Sequence, residues 1–319
     1  MTARPTLINI QRPERSPKPQ VALTIDGQAV SVVEGTTILG ACATLGIDIP
    51  TLCFLETLRP VNVCRLCVVE VEGARVLVPS CSRPVEANMV VHTKSPRVKH
   101  SRKLVLELLA SSVDLSTTPG MQELLDEYEC KPERYGPPAP PSKHRDHAIP
   151  GHHAPTPVGF AATVAQTVKK DNDLYYRDYA KCVLCYKCVE ACGPDHQNTF
   201  AIAVAGRGFD ARISTEFATP LPTSACVYCG NCIAVCPTGA LMAAREFELR
   251  ADGVWEEKRQ TATDTICPYC GVGCTLTLHV QDNEIVKATS PLENSITLGN
   301  LCIKGRFGWR FVGARRSDQ

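Results

Sequence analysis

Val21 to Val33 alternates apolar and polar side chains around Asp26-Gly27, and a period of two about an Asp-Gly turn predicts a β-hairpin. Thr36 or Thr37 can then cap a short helix through Ile38, Leu39 and Leu45 that Gly46 closes. A second hairpin is predicted from Val68 to Glu72, a turn at Gly73, and Arg75 to Val78. Pro96 can open a helix in which Val98, Val105, Leu108 and Leu109 recur at near-helical spacing. The pattern stops over residues 131–168, where Pro132, Pro137, Pro138, Pro140, Pro141, Pro150, Pro155 and Pro157 predict a semi-rigid linker. That linker carries His144, His147, His152 and His153, read as solvated. A last hairpin runs Thr275 to Val280, a polar turn at Asp282-Asn283, and Ile285 to Ala288. These elements are short, and no stretch approaches the 18 apolar residues of a membrane-spanning helix.

At 319 residues the chain is long enough for two or three domains, yet its aromatic content is 6% with two Trp, so large aromatic cores are excluded. Bound metal can substitute, because ligand binding becomes folding free energy in small metallo-domains. A formal net charge of +1 argues against a nucleic-acid surface. Met1 to Gln20 holds four Arg or Lys and four Pro but no apolar core, so it reads as a disordered tail and not a secretory signal. The expected compartment is therefore the reducing cytoplasm, where metal ligation by cysteine is the default.

Sixteen of the 18 cysteines form four groups of four. Cys53, Cys64, Cys67 and Cys81 are separated by ten, two and thirteen residues, a loop suited to a [2Fe–2S] cluster, with a structural zinc site as the alternative. Cys182, Cys185, Cys188 and Cys192 recur 44 residues later as Cys226, Cys229, Cys232 and Cys236, and small apolar runs follow each half (Ala201 to Ala205, Ala240 to Ala244). Three cysteines two residues apart and a fourth three residues on is the bacterial two-cluster pattern, in which the fourth serves the other cluster. Cys182, Cys185, Cys188 and Cys236 should hold one [4Fe–4S] cluster, and Cys192, Cys226, Cys229 and Cys232 the other. Gly230 and Ala234 are small enough for the backbone to approach a cubane. Cys267, Cys270, Cys274 and Cys302, the last after 27 intervening residues, suit a third [4Fe–4S] cluster or, taken alone, zinc. Lys304 follows two residues beyond. Of the remaining two cysteines, Cys42 reads as helix packing and Cys130 has no assigned chemistry. No nucleophile, acid–base constellation or nucleotide loop stands out, so no substrate turnover is expected of the chain by itself.

These residues resemble the N-terminal iron–sulfur region of a known family: the large Fe–S subunit of respiratory complex I, iron hydrogenases and NAD-dependent molybdenum formate dehydrogenases. The similarity lies in Cys64-Arg65-Leu66-Cys67-Val68-Val69-Glu70, in Arg177-Asp178-Tyr179 before Cys182, in Cys226 through Leu241, and in Cys267-Pro-Tyr-Cys270-Gly-Val-Gly-Cys274 closed by Leu301-Cys302-Ile303-Lys304-Gly305-Arg306. The last resembles the Fe4S4 domain of molybdopterin oxidoreductases, in which a lysine at the position of Lys304 lies between cluster and pterin. Most relatives carry one His and three Cys after the β-grasp domain; here Leu108 to Thr118 offers none, which implies that this cluster is missing.

The resemblance implies an α+β multidomain iron–sulfur protein. Its parts would be a tail (1–20), a β-grasp [2Fe–2S] ferredoxin domain (21–95), a helical segment (96–130), the linker (131–168), a two-[4Fe–4S] ferredoxin domain (169–250) and a small β-rich Fe4S4 domain of molybdopterin oxidoreductase type (260–319). It further implies an electron-transfer subunit between a molybdopterin-containing partner and a flavin/NAD-binding partner, with no nucleic acid and no membrane span. The alternatives are a complex I-like or hydrogenase diaphorase subunit, or the front part of a full-length formate dehydrogenase.

Overall fold

The computed structural model describes residues 18–135, 168–207, 211–293 and 296–314. Residues 1–17 and 136–167, and with them most of the expected tail and linker and the four linker histidines, lie outside the described residues.

The first unit is a five-stranded sheet of order β2-β1-β5-β3-β4, built from β1 (Gln20–Ile25), β2 (Gln28–Val33), β3 (Val68–Val71), β4 (Val78–Pro79) and β5 (Val90–His92). Asp26 and Gly27 both take positive φ (47° and 82°), the geometry a two-residue hairpin requires. Helix α1 (Ile38–Thr44) is capped by Thr37, whose Oγ1 accepts the Gly40 N–H at 3.1 Å. Ile25, Ile38, Val69, Val91 and Cys42 fill the core beneath it. The sequence pattern missed β5, whose three residues are too few to show a period, although it pairs parallel with β1 and antiparallel with β3 at the sheet's centre. The predicted strand from Arg75 to Val78 shrinks to two residues, because the chain turns into the Cys81 loop.

Helix α2 (Pro96–Ser112) starts behind Ser95, whose Oγ accepts the Val98 N–H, with Pro96 in the first turn. Its buried residues are Val98, Arg102, Leu106, Glu107 and Ser111, and Leu108 faces out. Arg102 crosses to the sheet, donating to the Val68 carbonyl at 2.9 Å and to Tyr128 Oη at 2.9 Å. Helix α3 (Met121–Glu127) follows.

The repeat builds the second unit. Its halves carry α4 (Lys187–Cys192) and α5 (Asn231–Ala234), and two short antiparallel ribbons close it: β6 (Tyr175–Arg177) with β9 (Leu241–Ala243), and β7 (Ala203–Ala205) with β8 (Arg212–Ser214). Helix α6 (Ala244–Ala251) then leads to a three-stranded sheet of β10 (Thr261–Ile266), β11 (Thr275–Gln281) and β12 (Glu284–Thr289), followed by α7 (Ile303–Phe307) and α8 (Phe311–Ala314). The hairpin predicted about Asp282-Asn283 is β11–β12, and β10 is an exposed edge strand that lacks an alternating pattern. No helix among the described residues is long and apolar enough to cross a membrane.

Candidate metal centres

The first group falls into two close pairs. Cys67 and Cys81 Sγ stand 3.4 Å apart, and Cys53 meets Cys64. Hydrogen bonding within each pair lowers one thiol and raises the other: Cys64 falls to about 5, with Leu66 and other backbone N–H groups assisting, and Cys67 falls to about 7. Two sulfurs per metal, on two metals, is what a two-iron cluster takes. Asn62 and Arg65 adopt left-handed backbone (φ 64° and 59°) to fold the loop around them. Asn62 Oδ1 accepts from the Cys81 thiol at 3.2 Å and from Ser82 Oγ at 2.8 Å. The leftover cysteines sit elsewhere: Cys42 is fully buried on the inner face of α1 and Cys130 packs behind α2, burial pushing each thiol up to about 11.

The repeat holds at the level of single dihedrals. Leu184 and Tyr186 flank Cys185 with φ of 51° and 63°, and Tyr228 and Gly230 flank Cys229 with φ of 56° and 71°. Left-handed residues at both places turn backbone N–H groups towards sulfur: Leu184 to Cys182, Lys187 to Cys185, Tyr228 to Cys226 and Asn231 to Cys229. The fourth cysteines cross over. Burial raises Cys182 to about 12 and Cys185 to about 11, and Cys236 from the other half is among the charges that add to it. Cys229 and Cys232 are raised by burial and, in turn, by Cys192 from the first half. The fold brings Cys236 to the first run and Cys192 to the second.

A small cavity lined by Cys192, Cys226, Cys229, Cys232, Ile202 and Leu221 lies in the second half. Arg177 also lines it, 2% exposed, held through Nη2 by Asp171, with Nε and Nη1 lacking any acceptor. Buried donors without partners are costly, and sulfides of a bound cluster would receive them. Four converging thiols, an apolar lining and orphaned donors fit a four-iron cluster.

In the last group Cys267 is buried and Cys274 partly so, whereas Cys270 and Cys302 are exposed. Burial raises the Cys274 thiol, and the charges of Cys267, Cys270 and Cys302 add to that. Lys304 is exposed on α7.

The four groups are arranged in series. Leu55 and Leu58 of the first loop pack on Ala191 and Val235 of the repeat, and Arg59 pairs with Asp195 at 3.1 Å. Lys187 stands between these loops, its ammonium disfavoured by burial and supported by Cys185, Cys53, Cys236 and Cys64. At the far side Phe307 stacks on Tyr175 at 6.3 Å, joining the Cys302 segment to the second half. The segment expected to lack the family's His/Cys cluster is tied down differently: Lys181 Nζ pairs with Asp114 Oδ2 at 2.5 Å, both buried, and Thr117 Oγ1 donates to the Thr238 carbonyl at 2.6 Å.

Family models match along the same course: a 2Fe-2S iron-sulfur cluster binding domain at residues 18–96, a 4Fe-4S dicluster domain at 181–240, and a molybdopterin oxidoreductase Fe4S4 domain at 260–313. The chain belongs to this family of iron–sulfur oxidoreductase subunits. It is 33% identical over 296 residues to the NADPH-Fe(3+) oxidoreductase subunit alpha of Geobacter sulfurreducens, covering 92% of this chain and 32% of that protein. It is 39% identical over 227 residues to the NADP-reducing hydrogenase subunit HndD of Solidesulfovibrio fructosivorans, covering 70% of this chain and 36% of the relative. The chain thus spans about a third of the length of these relatives. The fold is shared with an NAD+-reducing [NiFe]-hydrogenase crystal structure (TM-score 0.56, 24% identity, 70% of this chain and 87% of that one). The matches thus place [2Fe–2S] and [4Fe–4S] cluster-binding domains along the chain, and the relatives carrying them are named as NAD(P)-linked oxidoreductase, hydrogenase and putative formate dehydrogenase proteins.

Proposed function

We propose that this chain carries one [2Fe–2S] and three [4Fe–4S] clusters, ligated as the four cysteine groups indicate, and relays electrons between a molybdopterin active site and a flavin/NAD-reducing subunit. The observation that carries the reading is the unbroken series of four groups, ending at one whose cysteines reach the surface. Around Cys270 and Cys302 stand Ile266 at 70% exposure, Val272 at 52%, Ile303 at 41% and Tyr269 at 38%. An exposed apolar rim about a redox centre is suited to a partner's surface. Electrons would enter there, beside Lys304, cross the repeat and leave by the Cys53–Cys81 loop. The Fe4S4 domain match at 260–313 supports a molybdopterin-bearing partner at this end.

Anaerobic purification of the tagged chain from its own cell, with iron and molybdenum measured together, tests this. About 14 irons per chain with stoichiometric molybdenum is expected. The same iron without molybdenum or tungsten would move the assignment to a diaphorase-type subunit, and about 18 would show a further four-iron cluster.

A further inference from the structure

Arg306 is hydrogen-bonded to ligand-bearing segments on both sides. Its backbone N–H donates to the Cys302 carbonyl at 3.0 Å. Its side chain runs into the repeat, Nε donating to the Cys229 carbonyl at 2.9 Å and Nη2 to Asn231 Oδ1 at 3.1 Å. The same Asn231 oxygen accepts the Leu301 N–H at 3.0 Å, closing the joint from the other side.

The guanidinium is buried, at 5% exposure. Neither of its hydrogen-bond acceptors is a carboxylate, and no ion pair found among the described residues involves it. Burial draws its pKa down to about 10, against the charges of Cys229, Cys232 and Cys302. A buried cation persists where an anion balances it. With the proposed clusters bound, the anions facing it would be the ligated thiolates of two separate groups, Cys229 and Cys232 on one side and Cys302 on the other.

The repeat itself bends to accommodate this side chain. The left-handed position after the second cysteine is Tyr186 in the first half and Gly230 in the second. A Cβ on Gly230 would lie 2.2 Å from Arg306 Cδ. The glycine therefore leaves room for the Arg306 side chain. We propose that Arg306 is a positioning residue shared by two four-iron clusters, that of Cys267, Cys270, Cys274 and Cys302 and that of Cys192, Cys226, Cys229 and Cys232. It acts as their common counter-ion and as the hydrogen-bonded bridge from Cys302 to Cys229. One electron leaves one cluster as the other receives it, with no bond or proton exchanged. The fixed cation stabilises whichever cluster carries the added negative charge. This inference rests on the cluster assignment proposed above.

The test is a redox titration of the anaerobic full chain, followed by electron paramagnetic resonance. Signals are assigned by their loss in Cys302→Ala and Cys229→Ala. Arg306→Gln should lower the potentials of these two clusters, by at least a tenfold change in each one-electron equilibrium (about 59 mV), and leave the other two unmoved. Full iron with all four potentials unchanged, or with all four shifted alike, would overturn it. Where Arg306→Gln comes out short of iron, Arg306→Lys decides. It keeps a cation that cannot hold the Cys229 carbonyl and Asn231 together, so a smaller shift confined to the same two clusters is expected, and no shift overturns the proposal. A wild-type chain without [4Fe–4S] signals would instead defeat the underlying cluster assignment.

Discussion

At the scale of single residues, the candidate ligands stand out in the sequence and the side chains around them do not. Sixteen cysteines declare themselves by spacing because a cluster fixes the separation of its ligands along a short loop. The side chains of Arg177 and Asn231 carry no such spacing signal, since the cavity that Arg177 lines and the Leu301 and Arg306 groups that Asn231 holds come from segments far along the chain. Arg177 lends itself to a direct check. With Asp171 neutralising most of its charge, its effect on the cluster of Cys192, Cys226, Cys229 and Cys232 should come through Nε–H and Nη1–H donors. Arg177→Gln is expected to lower that cluster's potential alone, as read by a spectroscopic redox titration. The crossed arrangement makes a second prediction: Cys236→Ala should abolish the cluster of the Cys182 run and spare that of its own run. Loss of the wrong one in iron and resonance measurements would show uncrossed ligation.

At the scale of elements, the hairpin about Asp26-Gly27, the capped α1, the proline-started α2 and the β11–β12 hairpin all followed from local pattern, because turn and cap chemistry is local. The short strands β5, β6, β7 and β9 did not, since three residues pair only when another segment is already in place. The loop after α2 is held to the repeat by Asp114 and Lys181. Burial tends to raise the Asp114 pKa, but Lys181 and the bonds from Lys181 and Ser116 outweigh it, leaving the carboxyl below its ordinary value. A depressed folded-state pKa contributes stability above the unfolded value, about 3.9 for Asp, and that contribution is lost as pH falls through the folded value. Thermal unfolding of the holo chain followed below pH 4 should therefore fall more steeply than in Asp114→Asn. At neutral pH the same substitution strands Lys181 and should cost about 3 kcal/mol.

At the scale of the whole molecule, small cores are joined through loops that bear cysteines, so cofactor loading and folding are linked. Removing iron anaerobically with a chelator should lower the melting temperature and release the contact of Phe307 with Tyr175, measurable as increased proteolysis after α6. The exposed rim about Cys302 gives the complementary prediction. Ile266, at 70% exposure the most open side chain of that rim, points away from the packed interior, so Ile266→Glu should leave iron content intact while weakening co-purification of the molybdenum-bearing partner. Unchanged complex formation would place that partner elsewhere.

What the sequence determined was the kind of chemistry, because a thiolate ligand set is written in residue type and spacing over a few positions. The family resemblance extended this to fold class by the same short segments. What the tertiary structure decided was the order of the centres and what lies between them. Placing Lys187 beside both Cys64 and Cys236, or Arg306 against Cys229, depends on how separately folded loops dock, and docking is set by burial and hydrogen bonds between segments that share no local pattern. Gly230 shows the division most plainly: its spacing from Cys229 is visible in the sequence, whereas the side chain packed where its Cβ would lie is that of Arg306, 76 positions later.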